Sequence, residues 1–219
     1  MKFPELFLGT VISRYKRFKL CVDIAGEKEW AYLPNPGRLR ELIYPGSLVW
    51  LKKVMDPGRS LKWEAVLGYD GVLVSLYAAL ANKLFLQYLA SLGADSQYTI
   101  KGEVPTATSR FDFLIDGQFV EVKSVTLVQD GLGLFPDAPT KRGVRHLKEL
   151  GTLRKGAVVF VVQRCDAEAV TFNSAMDMDF ALAMKWARDE GVRFKAINCK
   201  VTKEDITPWQ EIPVLFPQD

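Results

Sequence analysis

The dipeptide Asp116-Gly117, set between the β-rich runs "RFDFLI" and "QFVEVKSVTL", constrains the fold of this 219-residue chain more than any other feature. A two-residue hairpin turn needs positive φ at both central positions, and Asp-Gly supplies that at little cost. Such a turn fixes a register in which Phe113 faces Val120, Asp112 faces Glu121 and Arg110 faces Lys123. Side chains alternate between faces along a strand. Asp112, Glu121 and Lys123 are therefore expected on one face, and Phe111, Phe113, Val120 and Val122 on the other.

Two directly opposed carboxylates repel one another, so a cation is expected between them. Mg²⁺, or Mn²⁺ in its place, is commonly held by one or two carboxylates together with phosphate oxygens and water. Lys123 beside it could position or deprotonate an attacking water, or neutralise charge growing at phosphorus. The same four charged residues also read as a solvated ion-pair ladder, which contributes little.

The N-terminal third has a different texture. Segments of β type ("VISRYKRFKLCVDI", "EKEWAYL", "SLVWLKKVM", "WEAVLG") alternate with the turn signals "PNPGR", "YPG", "DPGR" and "YDG". Short strands at this spacing predict a small five-stranded OB-like barrel. Read as one strand, "SRYKRFKL" places Arg14, Lys16 and Phe18 on one face and Tyr15, Arg17 and Lys19 on the other. Basic and aromatic side chains together on a barrel suit phosphate neutralisation and base stacking; an edge strand protected by Lys and Arg reads the same way. In "PNPGRLREL", Asn35 is expected to bond its own loop backbone. Arg38 is left to meet either nucleic acid or the second domain.

From residue 79 the pattern becomes α/β. "AALANKLFLQYLASLG" has Leu80, Leu84, Phe85, Tyr88 and Leu89 at helical spacing, with Gly93 at the C-cap. "GAVVFVVQ" reads as an interior strand covered on both faces, and a helix is expected over about residues 177–190. If Thr140 caps a helix, Arg142, His146 and Glu149 fall on one stripe, where Arg142 would contact phosphate and His146 substrate or water. The alternative is an ordinary amphipathic surface helix. Asp137 reads first as a turn-former between two prolines, and second as a carboxylate facing the metal.

Composition excludes several classes. With 48 % hydrophobic and 25 % charged residues the chain is not disordered. A net charge of +3 is too small to identify a nucleic-acid binder without local clustering. Cys21, Cys165 and Cys199 are odd in number and scattered, against a disulfide framework or a zinc site. No apolar run reaches the roughly 18 residues that span a bilayer, and no signal pattern opens the chain. The expected location is the cytoplasm.

"D112…E121-V-K123" on successive strands resembles the PD-(D/E)xK nuclease superfamily, whose metal ligands are an acidic residue on one strand and the acid of ExK on the next. That resemblance implies a role for Glu103 as a further acidic ligand, although an exposed glutamate there needs no special explanation. "RYKRF" (14–18), "PNPGRL" (34–39), "SRFDFLI" (109–115), "VEVKSVTL" (120–127) and "FPDAPTKRGVRHLKEL" (135–150) together resemble the sugar fermentation stimulation protein family. The family resemblance implies an N-terminal OB-like domain joined to a nuclease-like domain, and DNA binding.

The expected architecture is thus an α+β two-domain chain. Residues 1–78 form the OB-like β-barrel, and residues 79–219 an α/β nuclease-like domain with a mixed central sheet. The expected activity is DNA binding with Mg²⁺-dependent phosphodiester hydrolysis. Asp112, Glu121 and Lys123 are catalytic; Asp112, Glu121 and Glu103 hold metal; Arg14, Lys16, Arg17, Arg38, Arg110, Arg142 and His146 contact nucleic acid. A non-catalytic DNA-binding regulator of sugar metabolism genes is the alternative. No membrane partner is expected, and a homodimer is compatible with this reading.

Overall fold

A computed structural model of the protein describes residues 1–93 and 98–217. Six strands come first: β1 (Phe7–Tyr15), β2 (Lys19–Ile24), β3 (Glu27–Tyr32), β4 (Leu48–Lys53), β5 (Trp63–Asp70) and β6 (Val72–Ser75). They hydrogen-bond in the order β3-β2-β1-β4-β5-β6. Pairing of β3 with β5 at Ala31–Trp63 and Tyr32–Glu64 closes the first five into the expected barrel. Alternation along the strands turns Leu20, Val22, Ala31, Val49 and Leu51 inward, where they are fully buried. Each leucine so buried stabilises the barrel by about 1.5–3 kcal/mol. Glu64, at the closing pair, is buried but neutralised by Lys52 at 3.0 Å and Arg59 at 2.9 Å.

One expectation about this barrel is corrected. "SRYKRFKL" is not a single strand but a hairpin, with Tyr15 paired to Lys19 and residues 16–18 forming the loop. A three-residue hairpin loop needs a residue in the left-handed region, normally glycine. Lys16 takes it here, at φ 55°, so no Gly or Pro announced the turn. Lys16 and Arg17 consequently stand at a hairpin tip rather than on opposite strand faces.

The remainder runs α1 (Leu80–Ser91), β7 (Ile100–Pro105), β8 (Arg110–Ile115), β9 (Gln118–Val125), β10 (Val128–Gln129), β11 (Leu132–Phe135), α2 (Lys141–Leu153), β12 (Gly156–Val162), β13 (Ala169–Phe172), α3 (Met178–Asp189), β14 (Arg193–Val201) and β15 (Ile206–Ile212). The central sheet has the order β15-β14-β12-β9-β8-β7. Strands β9, β12 and β14 are parallel and the outer pairings antiparallel, so the sheet is mixed, as expected. Every residue of β12 is buried, which explains its unbroken apolar run. Helix α1 covers one face through Ala81, Leu84 and Phe85; α2 and α3 cover the other through Leu147, Leu150, Phe180 and Met184. Gly151 permits the approach of these two helices, since a Cβ there would lie 2.4 Å from the Trp186 ring. Strands β10, β11 and β13 form a separate three-stranded sheet.

The two units are bolted together by polar contacts. The buried Arg164 guanidinium donates to Asp70 Oδ2 at 2.9 Å, to Thr126 O at 3.1 Å and to both oxygens of Asp166. Next to it, Gln163 Nε2 donates to Tyr77 O at 2.8 Å, and Ser75 N donates to Gln163 O at 3.0 Å. Met1 and Phe3 pack against the α1 face of the second unit, where Lys2 bridges Asp205. Among the described residues no helix is long and apolar enough to cross a membrane.

Candidate active site

The Asp116-Gly117 turn forms with φ of 46° and 77°, both positive as predicted. It pairs Ile115 with Gln118, Leu114 with Phe119 and Phe113 with Val120. There the ladder stops. Asp112 does not continue it; its own Oδ2 accepts the Val122 N–H at 2.8 Å, and its Oδ1 accepts from Asn82 Nδ2 of α1 at 2.8 Å. Arg110 pairs with Pro105 of β7 instead of Lys123. Because a side chain replaces the backbone in the ladder, the simple alternation of faces fails at this point. Phe113, Val120 and Val122 pack towards α1 as a set. Phe111, expected with them, packs on the opposite face instead, against Phe119 and His146.

Glu121 is held from the other side. Lys123 Nζ lies 2.5 Å from its Oε1, and His146 Nδ1 of α2 lies 2.6 Å from the same oxygen. This imidazole contact is the largest of those that favour the Glu121 carboxylate, ahead of Lys123. His146 Nε2 accepts from Arg142 Nε at 3.3 Å; a neutral imidazole that accepts there carries its proton on Nδ1, facing Glu121. Glu121 Oε2 is buried and has no hydrogen-bond partner. The expectation that Asp112 and Glu121 face each other across the ladder on one sheet face is thus corrected: Asp112 is gripped from α1, and Glu121 with Lys123 from the side of α2, because the ladder ends before them.

Their charges still interact. Burial, then the charge of Glu121, push the Asp112 carboxyl above its ordinary range, against the opposing Val122 N–H, Asn82 and Lys123. Burial also pushes Glu121 upward, but His146 and Lys123 outweigh it and hold that carboxyl below its usual range. Two adjacent carboxyls with pKa values displaced in opposite directions are a frequent mark of a functional site.

The orientation of His146 is set from the helix start. Thr140 Oγ1 accepts from Gly143 N at 3.0 Å, as the predicted cap, and Thr140 N donates to Asp177 Oδ2 at 2.7 Å. Asp177 also caps α3, accepting from Phe180 N. The expected stripe of Arg142, His146 and Glu149 exists, though His146 is buried and Glu149 is turned to Thr108 Oγ1 at 2.6 Å.

The other expected site residues are dispersed. Glu103 is exposed and paired with Arg110 at 3.3 Å. Among the described residues no three Asp, Glu, His or Cys side chains gather into a metal-holding group, so Glu103 does not complete a set with Asp112 and Glu121. Arg14 serves as a brace, donating to the carbonyls of Arg17, Gly37 and Arg38. Arg17, Arg38 and Arg40 line a cleft of about 460 Å³ with Ala138 and Pro139, just before α2. Asn35 Oδ1 accepts from Gly37 N at 2.8 Å, the predicted loop bond.

Asp137 lies half-buried under that loop, where the backbone N–H groups of Leu39 and Arg38 bond its carboxylate. A Cβ on Gly37 would come within 2.2 Å of Asp137 Oδ2, so glycine is required for the contact. Asp137 is thus a link between the two units, a role beyond the expected turn. Asn82 and Arg164 were missed. Asn82 had a signal, a polar residue inside an apolar helical pattern. So did Arg164, a charge two residues after the fully apolar β12.

Comparison with known proteins matches the family model described as "Sugar fermentation stimulation protein RE domain" to residues 79–205, and "SfsA N-terminal OB domain" to residues 12–76. Curated relatives, each described as a sugar fermentation stimulation protein homolog, include one from Shouchella clausii, 39 % identical over 98 % of this chain and 100 % of its own. Another, from Moorella thermoacetica, is 41 % identical over 90 % of this chain and 91 % of its own. A solved structure, described as Pyrococcus furiosus SfsA in complex with Ca²⁺, superposes with a TM-score of 0.86 at 26 % identity and covers 98 % of each chain.

Proposed function

The chain belongs to the sugar fermentation stimulation protein family, and we propose that it is a DNA-binding nuclease of PD-(D/E)xK type that hydrolyses phosphodiesters with Mg²⁺ or Mn²⁺ in the cytoplasm. The observation that carries this reading is the buried, unpartnered Oε2 of Glu121 beside the carboxylate of Asp112. An ionised oxygen left unpaired in the interior is costly, and a hard divalent cation on Asp112 and Glu121 removes both that cost and their repulsion. The donor set, oxygen only, fits such an ion. That the structural neighbour is described in complex with Ca²⁺ lends support.

Bound there, the cation supplies Lewis acidity towards a phosphodiester oxygen. The chain's own groups do the rest. Asn82 and the Val122 N–H fix the orientation of Asp112. His146 and Lys123 keep Glu121 ionised by holding its Oε1, which leaves Oε2 free for the ion. Lys123, only 13 % exposed in its side chain, places a positive charge where the pentavalent phosphorus becomes more negative. Loss of one such preorganised donor typically costs about 10²–10³-fold in rate.

Glu121→Ala and Lys123→Ala are each expected to lower Mg²⁺-dependent cleavage of labelled DNA by at least about 10²-fold, with DNA affinity in EDTA kept within a few-fold. Undiminished cleavage in either variant contradicts the assignment. Salt-dependent binding by the wild type without turnover in either metal favours a non-catalytic DNA-binding regulator.

A further inference from the structure

The outer surface of the barrel carries an unusual concentration of exposed rings. Tyr15, Phe18 and Trp30 are 53 %, 42 % and 41 % exposed. Strand register sets them in rows. Tyr15, Lys19 and Tyr32 are successive partners across β1, β2 and β3, and Ser13, Cys21 and Trp30 form the next row on the same face. Tyr15 and Trp30 meet edge to face at 6.4 Å, and Phe18 lies 6.2 Å from Tyr32. Amines are interleaved with the rings: Lys19 Nζ is 4.1 Å from the Trp30 centroid and Lys16 Nζ is 5.5 Å from that of Tyr15.

This platform is continuous with the arginine cleft. Arg17 belongs to both, its guanidinium 6.0 Å from the Phe18 ring while its residue lines the cleft. Arg14 ties the hairpin tip to Gly37 and Arg38, so the two surfaces keep a fixed relation. No carboxylate pairs with Arg17, Arg38 or Arg40 in any ion pair among the described residues; Asp137 beneath them is occupied by backbone N–H groups. The cleft is also lined by Pro139, two residues before α2, the helix that carries His146.

Resting on the nuclease reading of the Asp112–Glu121 site, we infer that the substrate reaches it as a single strand. Its bases stack on Tyr15, Phe18, Trp30 and Tyr32, and its phosphates run past Arg17, Arg38 and Arg40 towards α2. Duplex is disfavoured because its base faces are already covered by neighbouring pairs, which leaves the four rings without a partner. Stacking ignores sequence and sugar, and phosphate neutralisation by arginine does the same. The shared chemistry is therefore that of any single-stranded nucleic acid.

The test is anisotropy in EDTA with labelled DNA and RNA single strands of about 15 nucleotides and the matching DNA duplex. At least one single strand is expected to bind about tenfold or more tightly than duplex, and the tighter of the two identifies the sugar. Trp30→Ala is expected to weaken it about tenfold, while Trp30→Phe keeps most of the affinity. Arg38→Ala combined with Arg40→Ala should reduce the salt dependence by about two counterions. Tyr15→Ala stands in should Trp30→Ala not fold. Single-strand affinity unchanged in a folded Trp30→Ala or Tyr15→Ala, or duplex bound as tightly as single strand, overturns the inference. The same oligonucleotides incubated with Mg²⁺ separate the two readings. Single-strand binding without cleavage overturns the nuclease reading and leaves this surface standing; cleavage without strand preference does the reverse.

Discussion

Asp112 is the most strained charge of the site, since burial and the neighbouring Glu121 both oppose its ionisation. Replacing it with asparagine keeps an acceptor for Val122 N, lets the new amide N–H donate to Asn82 Oδ1 once the Asn82 amide turns over, and removes the repulsion. Asp112→Asn is therefore expected to stabilise the protein by about 1 kcal/mol at pH 7, about 2–4 °C in Tm, read by thermal denaturation in EDTA. The same variant should lose its response to Mg²⁺. For the wild type, an ion at a hundred times its Kd stabilises by about 2.7 kcal/mol, and Asp112→Asn should show little of that shift. An equal shift in both proteins would move the cation elsewhere. Sequence alone singled out Asp112, Glu121 and Lys123 as candidates through the Asp116-Gly117 turn, but the register that turn implies ends at Phe113–Val120. Nor did the sequence reveal how they are held. Asn82 lies thirty residues before Asp112 and His146 twenty-five after Glu121, and no local rule joins such pairs.

At the level of elements, legibility followed the strength of local signals. The β8–β9 hairpin, the capped helix α2 and the interior strand β12 each had one: Asp-Gly, Thr140 ahead of an amphipathic run, and seven buried apolar residues. The β1–β2 hairpin had none, because Lys16 occupies a glycine-like conformation. Strands β10 and β13, of two and four residues, are too short for a period to show. The break in alternation at Asp112 arises from a side chain acting as backbone, which pattern cannot reveal. Helix α2 offers a direct check on how the site is positioned. Thr140→Ala removes the cap bond to Gly143 N and is expected to cost about 0.5–2 kcal/mol, measured by urea denaturation. Because that turn orients His146, cleavage should fall by more than the loss of folded protein explains. A fall in proportion to folded protein would confine Thr140 to stability.

Over the whole molecule, two units with separate cores are joined by buried polar groups, and that junction sets a pH dependence. Burial raises the carboxyls of Glu41 and Asp137 above their ordinary range, so the native state holds these protons more tightly than the unfolded chain does. Their contribution is then fully present below the unfolded pKa and is lost as pH rises through the higher folded value. Glu41 Oε1 has no hydrogen-bond partner. Glu41→Gln is accordingly expected to flatten the fall in stability from acid towards neutral pH and to gain about 1 kcal/mol at pH 7, read by urea denaturation at several pH values. A steeper decline in the variant would contradict the sign. The same junction brings the loop of Arg38 beside Ala138 and Pro139, just before α2. The decisive measurement is incubation of the purified protein with labelled single-stranded, duplex and branched DNA in Mg²⁺, Mn²⁺ or EDTA, alongside Glu121→Gln. A metal-dependent nuclease at Asp112 and Glu121 cleaves as the wild type in Mg²⁺ or Mn²⁺, not in EDTA and not as the variant; equal cleavage by the variant, or cleavage that survives EDTA, would contradict that assignment.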